Sequence, residues 1–278
     1  MSLPLFSLLT FAGSVVAGML GALTGLGGGV VLVPLLTLIF HVDIRYAIGA
    51  SLISVIATSS GAAAAYVREG YSNVRIGMFL EVATTLGALL GASLATRIPT
   101  QALGVTFGLV LLYSAWIGRN AHHEDQSSKW SSWSDKLRLS GSYPDGRGRE
   151  IPYKVDRIRG GFATMFGAGA ISGLLGIGSG AVKVLAMDRV MRIPFKVSTT
   201  TSNFMIGVTA AASAGIYLRR GYIHPGLAFP VMLGVLGGSL LGAKILMGAR
   251  VAVLRTIFTL VILALGVEMI VNSWMGKL

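Results

Sequence analysis

Two short glycine-rich stretches hold the residues best suited to chemistry in this chain. The first reads Gly25-Leu26-Gly27-Gly28-Gly29-Val30-Val31-Leu32-Val33, the second Gly176-Ile177-Gly178-Ser179-Gly180-Ala181-Val182-Lys183-Val184. Each interrupts a long apolar run. Glycine frees the backbone from helix geometry. At membrane depth, freed backbone groups are tolerated only inside protein or along a water-filled cavity. The first N–H groups of the helix that follows have no partner within it, and the helix dipole adds partial positive charge there. A break of this kind is suited to a small anion. Gly27, Gly28 and Gly29, with Gly178, Ser179 and Gly180, are therefore candidate substrate-binding residues. The competing reading is close helix packing through small residues.

Polar side chains near the breaks extend the set. Lys183 lies about one turn after Gly180 in an otherwise apolar segment, and an intramembrane lysine points to function by default. The alternative is a structural ion pair with Asp188 or Glu81. Thr199-Thr200-Thr201-Ser202-Asn203 opens the next segment. Thr200, Ser202 and Asn203, with Ser51 as the first-half counterpart of Ser202, can donate to the oxygens of an anion. Helix capping and interhelical hydrogen bonding remain the alternative for these groups. Glu81, in mid-segment, is a candidate carrier of a coupling proton or a partner for a buried cation. Glu268 and Lys244 lie nearer segment ends and are expected to snorkel.

Other chemistries find no support. No cysteine is present, which excludes disulfides, thiol redox chemistry and cysteine metal sites. His122-His123-Glu124-Asp125 reads as a polar loop, because adjacent histidines cannot share a helix face and no further ligand follows at metal spacing. The segments contain no Ser/His/Asp set, HExxH motif or carboxylate pair, so no enzyme and no cofactor is expected. A dinucleotide reading of the glycines lacks a strand and an acidic ribose partner.

The elements that must position these residues are membrane helices. Hydrophobic residues make up 53% of the 278, charged residues 12%, and the mean hydropathy is +0.73. Such a chain is an integral membrane protein, and its long runs favour an all-α helical bundle over a barrel. The first run has no basic leader or cleavage site and reads as mature protein. The net charge of +12 fits basic loops on the cytoplasmic face; no nucleic-acid motif accompanies it. The expected partners are the lipid bilayer and a small anion, with a homodimer left open.

Residues 3–40 carry no formal charge and far exceed the ~20 residues of one span. They must form two elements divided near Gly25–Gly29. Further segments are expected at 46–67, 76–96 and 100–118, then at 160–187, 197–218, 223–247 and 251–274. Between the sets, residues 119–159 hold nine basic and six acidic residues and read as a solvated linker. The domains are a first half, 1–118, the linker, 119–159, and a second half, 160–278.

The halves are copies at a fixed offset of 151 positions. Gly25, Gly27 and Gly29 fall on Gly176, Gly178 and Gly180, Ser51 falls on Ser202, and Leu89-Leu90-Gly91-Ala92 falls on Leu240-Leu241-Gly242-Ala243. No gap is needed, which marks a duplication. Four plain spans per half would place fourteen cations on one side and seven on the other. A re-entrant hairpin plus three crossings per half would invert the halves and give sixteen against five. The inverted arrangement segregates charge better and supplies alternating access. It puts the linker in the cytoplasm and both termini outside.

The pattern resembles the TauE/SafE sulfite exporter family of membrane permeases. The resemblance rests on Gly25-Leu26-Gly27-Gly28-Gly29 with Pro34, Gly49-Ala50-Ser51-Leu52, Gly173-Leu174-Leu175-Gly176-Ile177-Gly178-Ser179-Gly180 and Thr200-Thr201-Ser202-Asn203. It covers both halves, and it implies export of sulfite or an organosulfonate such as sulfoacetate. Two positions depart from the commoner pattern: Ser179 stands in place of a glycine, and Lys183-Val184-Leu185 where an apolar residue and a proline often follow. A secondary transporter is the expected function, and an anion-selective channel the alternative.

Overall fold

The computed structural model describes residues 3–24, 28–68, 72–119, 139–144, 150–246 and 251–277. Gly25, Leu26 and Gly27, His122-His123-Glu124-Asp125, and the side chain of Lys244 lie outside what is described. The chain opens with α1 (Leu3–Thr24), followed by a short α2 (Gly29–Pro34) that widens into a π turn, Leu35–Ile39. Then come α3 (Ile44–Arg68), α4 (Val74–Ala95) and α5 (Thr100–Arg119). After the hairpin strands β1 (Gly141–Pro144) and β2 (Glu150–Tyr153), the order recurs: α6 (Ile158–Leu175), short α7 (Gly180–Leu185) with a π turn at Ala186–Val190, α8 (Phe195–Arg219), α9 (Pro225–Leu246) and α10 (Val251–Trp274).

The expected segments are present, and residues 3–40 divide at the glycines. The antiparallel hairpin, with Gly141 opposite Tyr153, is an addition to the expected all-α architecture. Polar residues set the helix starts. Asn73 Oδ1 accepts from the Ile76 amide at 3.1 Å at the head of α4, and Asp43 Oδ1 accepts from the Arg45 amide at 2.8 Å at the head of α3, satisfying amides that a helix leaves open. Pro34 lies inside α2, where proline removes a helix donor. Its counterpart Leu185 is followed by the same π turn, so proline alone does not cause the widening.

The long helices pack as α1 along α9, α4 along α6, α3 against α8 and α5 against α10; α4 also meets α8, and α9 meets α3. Small residues allow close contact, as membrane helices require. Gly18 abuts the backbone of Val235 and Gly169 that of Thr84, while Gly238 abuts Val15 and Gly87 abuts Phe166. Outside, Leu8, Met78, Val82, Phe229, Leu240 and Leu260 are each more than half exposed. Apolar surface on this scale needs lipid rather than water. Among the described residues, Pro4–Gly21, Val74–Ala95 and Pro225–Gly242 are long and apolar enough to cross a bilayer.

Two apolar clusters form the interior. One gathers around the breaks and α3 and includes Leu32, Leu36, Ile48, Leu52, Val55 and Ile177. The other lies under the hairpin, where Leu139, Tyr143 and Tyr153 cover Ile76, Leu80, Met165, Met187 and Met191.

Candidate functional site

The two glycine stretches break their helices and meet. Gly176 ends α6 with φ 66°, its amide donating to the Ser172 carbonyl at 2.8 Å. Gly178 (φ 70°) and Ser179 (φ 45°) continue in the left-handed region, where glycine carries no steric penalty and serine does. α7 starts directly after, at Gly180. In the first copy Gly28 precedes α2, and its carbonyl accepts from the amides of Val31 (3.3 Å) and Leu32 (3.0 Å). Gly29 faces the second break: a methyl group there would lie 3.0 Å from the Gly176 carbonyl oxygen, 3.3 Å from Ile177 Cα and 2.6 Å from Ser51 Oγ. Gly178 sits between Ile206 of α8 and Val55 of α3.

The nearby hydroxyls are mostly engaged. Ser51 Oγ donates to the Gly176 carbonyl at 2.9 Å, and Ser202 Oγ to the Gly180 carbonyl at a longer 3.3 Å. Each brings a side chain of a long helix onto the backbone of the second break. Thr200 donates back to its own helix, at the carbonyls of Lys196 and Val197, and Asn203 is half-buried. Ser179 differs: its Oγ is buried and has no hydrogen-bond partner.

Lys183 and Glu81 form a separate polar line. Lys183 is fully buried and Glu81 is 7% exposed. The Lys183 ammonium donates to Thr209 Oγ1 at 2.6 Å, and Thr209 Oγ1 lies 2.7 Å from Glu81 Oε1. Thr85 donates to the same carboxylate oxygen at 3.1 Å. The other, Glu81 Oε2, is buried without a partner. The lysine of α7 thus reaches the glutamate of α4 through a threonine of α8. Of the two acidic partners weighed for Lys183, Glu81 is the one joined to it by this route.

The structure therefore brings Gly29, Ser51, Gly178, Ser179, Gly180 and Ser202 together and sets Lys183, Thr209 and Glu81 in a line of their own. Gly27 lies outside the described residues. Sequence reasoning missed Thr85, Thr209 and Ser172, whose buried Oγ is also unpartnered. Thr85, one turn from Glu81 on the same face, was open to a spacing argument; Thr209 is supplied by another helix.

The hairpin adds a cavity of about 300 Å³ at the head of α4, lined by Ser72, Asn73, Arg75, Ser140, Ser142 and Tyr153 among others. Asn73 Nδ2 donates to Tyr153 Oη at 2.6 Å, and the Asn73 amide donates to Thr201 Oγ1 at 3.0 Å. Burial pushes the Tyr153 hydroxyl above the ordinary tyrosine value, an effect partly offset by the Asn73 hydrogen bond.

Comparison with known proteins places this geometry in a family context. The sequence profile described as "Sulfite exporter TauE/SafE" matches residues 10–269. A Bacillus subtilis protein described as "Probable membrane transporter protein YunE" is 26% identical over 92% of this chain and 94% of its own length. A second from that bacterium, "Probable membrane transporter protein YdhB", is 26% identical over 86% and 89%. A Xylella fastidiosa "Probable membrane transporter protein" is 26% identical over 95% and 94%. No solved structure matches.

Proposed function

The chain belongs to the sulfite exporter TauE/SafE family, and we propose from that premise that it carries a small sulfur oxyanion or organosulfonate, sulfite or sulfoacetate, out of the cell by alternating access. It is a multi-pass membrane protein and a membrane transporter. The finer reading is carried by one observation: the two glycine breaks abut, Gly29 against Gly176 and Ile177, with the buried Ser179 hydroxyl left unpartnered in the second break. Amides at the heads of α2 and α7, from Gly28 and Gly29 and from Gly178 to Gly180, hold the anion, with Ser51, Thr200, Ser202 and Asn203 closing around it. Lys183 supplies the compensating charge.

The helix packing supports two inverted halves, 1–118 and 160–278, joined by the linker 119–159. Moving every position by 151 turns the α1–α9 contact into α6–α4 and maps α3–α8 and α5–α10 onto themselves. The glycine contacts follow the same rule, Gly18 on Val235 becoming Gly169 on Thr84. Such reciprocity is expected when halves exchange conformations to open alternate faces. Cation segregation puts the linker in the cytoplasm and the termini outside. The same reading applies to a monomer and to a homodimer.

Because the breaks touch, the halves must part to admit an anion, which favours a carrier over an anion-selective channel. Proteoliposomes test this directly. The carrier shows saturable counterflow of sulfite or sulfoacetate and a channel shows none; failure of the purified protein to bind either anion refutes the reading.

A further inference from the structure

The Lys183–Thr209–Glu81 line joins Glu81 of the first half to Lys183 and Thr209 of the second, and the symmetry-related positions do not repeat it. At the offset of 151, Lys183 falls on Leu32, Thr209 on Thr58, Glu81 on Met232 and Thr85 on Leu236. Thr58 donates to the carbonyls of Ser54 and Val55 on its own helix, and Leu32 is fully buried among apolar side chains. The scaffold therefore accepts leucine and methionine at these places. A buried charged pair is weak evidence for stability, since apolar residues of similar volume often serve as well or better.

Few other charges compete at this position. Among the described residues, α6 carries Arg159 in its first turn; α8 carries Lys196 and Arg219 near its ends, and Tyr217, whose hydroxyl donates to the carbonyls of Gly173 and Leu174. Arg75 is the other charged residue of α4, in its first turn, and Asp188 and Arg189 lie in the π turn beyond α7. Lys183 is the cation tied to Glu81, and Glu81 Oε2 is open to a proton.

We propose that Lys183, Thr209 and Glu81 form the coupling-proton site of the transporter. This rests on the anion-carrier reading above. In the empty site the Glu81 carboxylate is the counterion of the Lys183 ammonium. When substrate binds, a proton from water forms an O–H bond at Glu81 Oε2, and one negative charge of the anion takes over as counterion. The ammonium keeps its protons throughout. With a singly charged anion the site holds one positive and one negative charge before and after, and a doubly charged anion leaves its second charge outside this exchange; in either case proton and anion bind and move together. A singly charged anion then travels without net charge, and its flux follows the anion and pH gradients rather than the membrane potential.

Sulfoacetate is a suitable probe, because its sulfonate and carboxylate both stay ionised at neutral pH. Titration calorimetry of the full chain in nanodiscs, in two buffers of different ionisation enthalpy, counts protons taken up per anion bound. The expected result is close to one, with affinity falling about tenfold per pH unit wherever one proton is taken up. In Glu81→Gln, proton uptake and this pH dependence vanish. The double variant Lys183→Leu/Glu81→Met, which copies Leu32 and Met232, is expected to fold, take up no proton and bind more weakly. Binding to the wild-type chain without proton uptake overturns the proposal and leaves the carrier reading standing. Absence of sulfoacetate and sulfite binding removes both.

Discussion

The contact between the two breaks makes Gly29→Ala the most informative single substitution. Its methyl group would lie 3.0 Å from the Gly176 carbonyl oxygen, 3.3 Å from Ile177 Cα and 2.6 Å from Ser51 Oγ. Ser51 can rotate away, but it then loses its 2.9 Å hydrogen bond to Gly176. The Gly176 backbone cannot rotate away, so the breaks must separate by roughly 0.5–1 Å to restore ordinary contact. Overpacking of this kind costs about 1–3 kcal/mol, and the lost hydrogen bond about 1 kcal/mol. A net cost near 2–3 kcal/mol shifts the balance between touching and parted states roughly 30- to 150-fold.

The absence of cysteine makes this measurable. Val55 flanks Gly178 and is buried, so Val55→Cys provides a single reporter. It should react slowly with a water-soluble maleimide in the Gly29 background and at least tenfold faster with Gly29→Ala, while counterflow of sulfite falls. Gly167→Ala is the control, because a methyl group there meets nothing within 4 Å. Equal labelling and equal counterflow in Gly29→Ala would refute the idea that transport needs these two breaks in contact.

The remaining expectations are smaller. Gly167→Ala and Gly215→Ala, both open-sided helix positions, should raise thermal stability by up to about 1 kcal/mol each through helix propensity. Ser51→Ala should lower it by about 1 kcal/mol, and Ser202→Ala by less, because its bond to Gly180 is longer at 3.3 Å; thermal unfolding of the two variants ranks them. Tyr153→Phe removes the 2.6 Å hydrogen bond from Asn73 and should speed hydrogen exchange across β1 and β2 several-fold. Since burial raises the Tyr153 pKa, the docked hairpin holds that proton more tightly than the free one. Its contribution is full below the ordinary value of 10.0 and is lost as pH rises through the higher docked value. Tyr153→Phe should abolish that alkaline loosening.

What could be read from the sequence follows from the range of the interactions involved. Helix limits were legible because charges, prolines and caps sit at the ends of apolar runs, as at Asp43, Asn73 and Pro225. The breaks were legible because several glycines in an apolar run have few other uses. The hairpin was not: its strands are four residues each, one ends in proline, and they lie in a polar stretch without alternation. Ser51 and Ser202 were visible as hydroxyls, but which acceptor each takes depends on how α3 and α8 cross the second break. Lys183 offered two acidic partners on sequence grounds. The choice of Glu81 through Thr209 is made by the packing of α4 on α8, which no local pattern encodes.

Ser179, Lys183 and the hairpin all fall on one copy of the break, and this bears on how the copies divide the work. Their first-copy counterparts are Gly28 and Leu32 for the two side chains. The second π turn is covered by hairpin residues through Met187 and Met191. The matching residues of the first, Leu36 and Phe40, pack in the other cluster, with Phe40 edge-on to Phe6 of α1 at 6.1 Å. On the proposed reading the anion is held by amides at two helix heads, one from each copy. Charge compensation has to occur only once per anion, and a second buried lysine and glutamate would add a desolvation cost with no further counterion to exchange. On that reading a duplicated scaffold can keep its symmetry in the backbone proposed to hold the ligand while carrying the ionisable pair only once. On that argument, transplanting the pair by Leu32→Lys with Met232→Glu in the Lys183→Leu/Glu81→Met background should restore proton uptake, whereas adding it to the wild-type chain should lower stability without raising the number of protons taken up per anion.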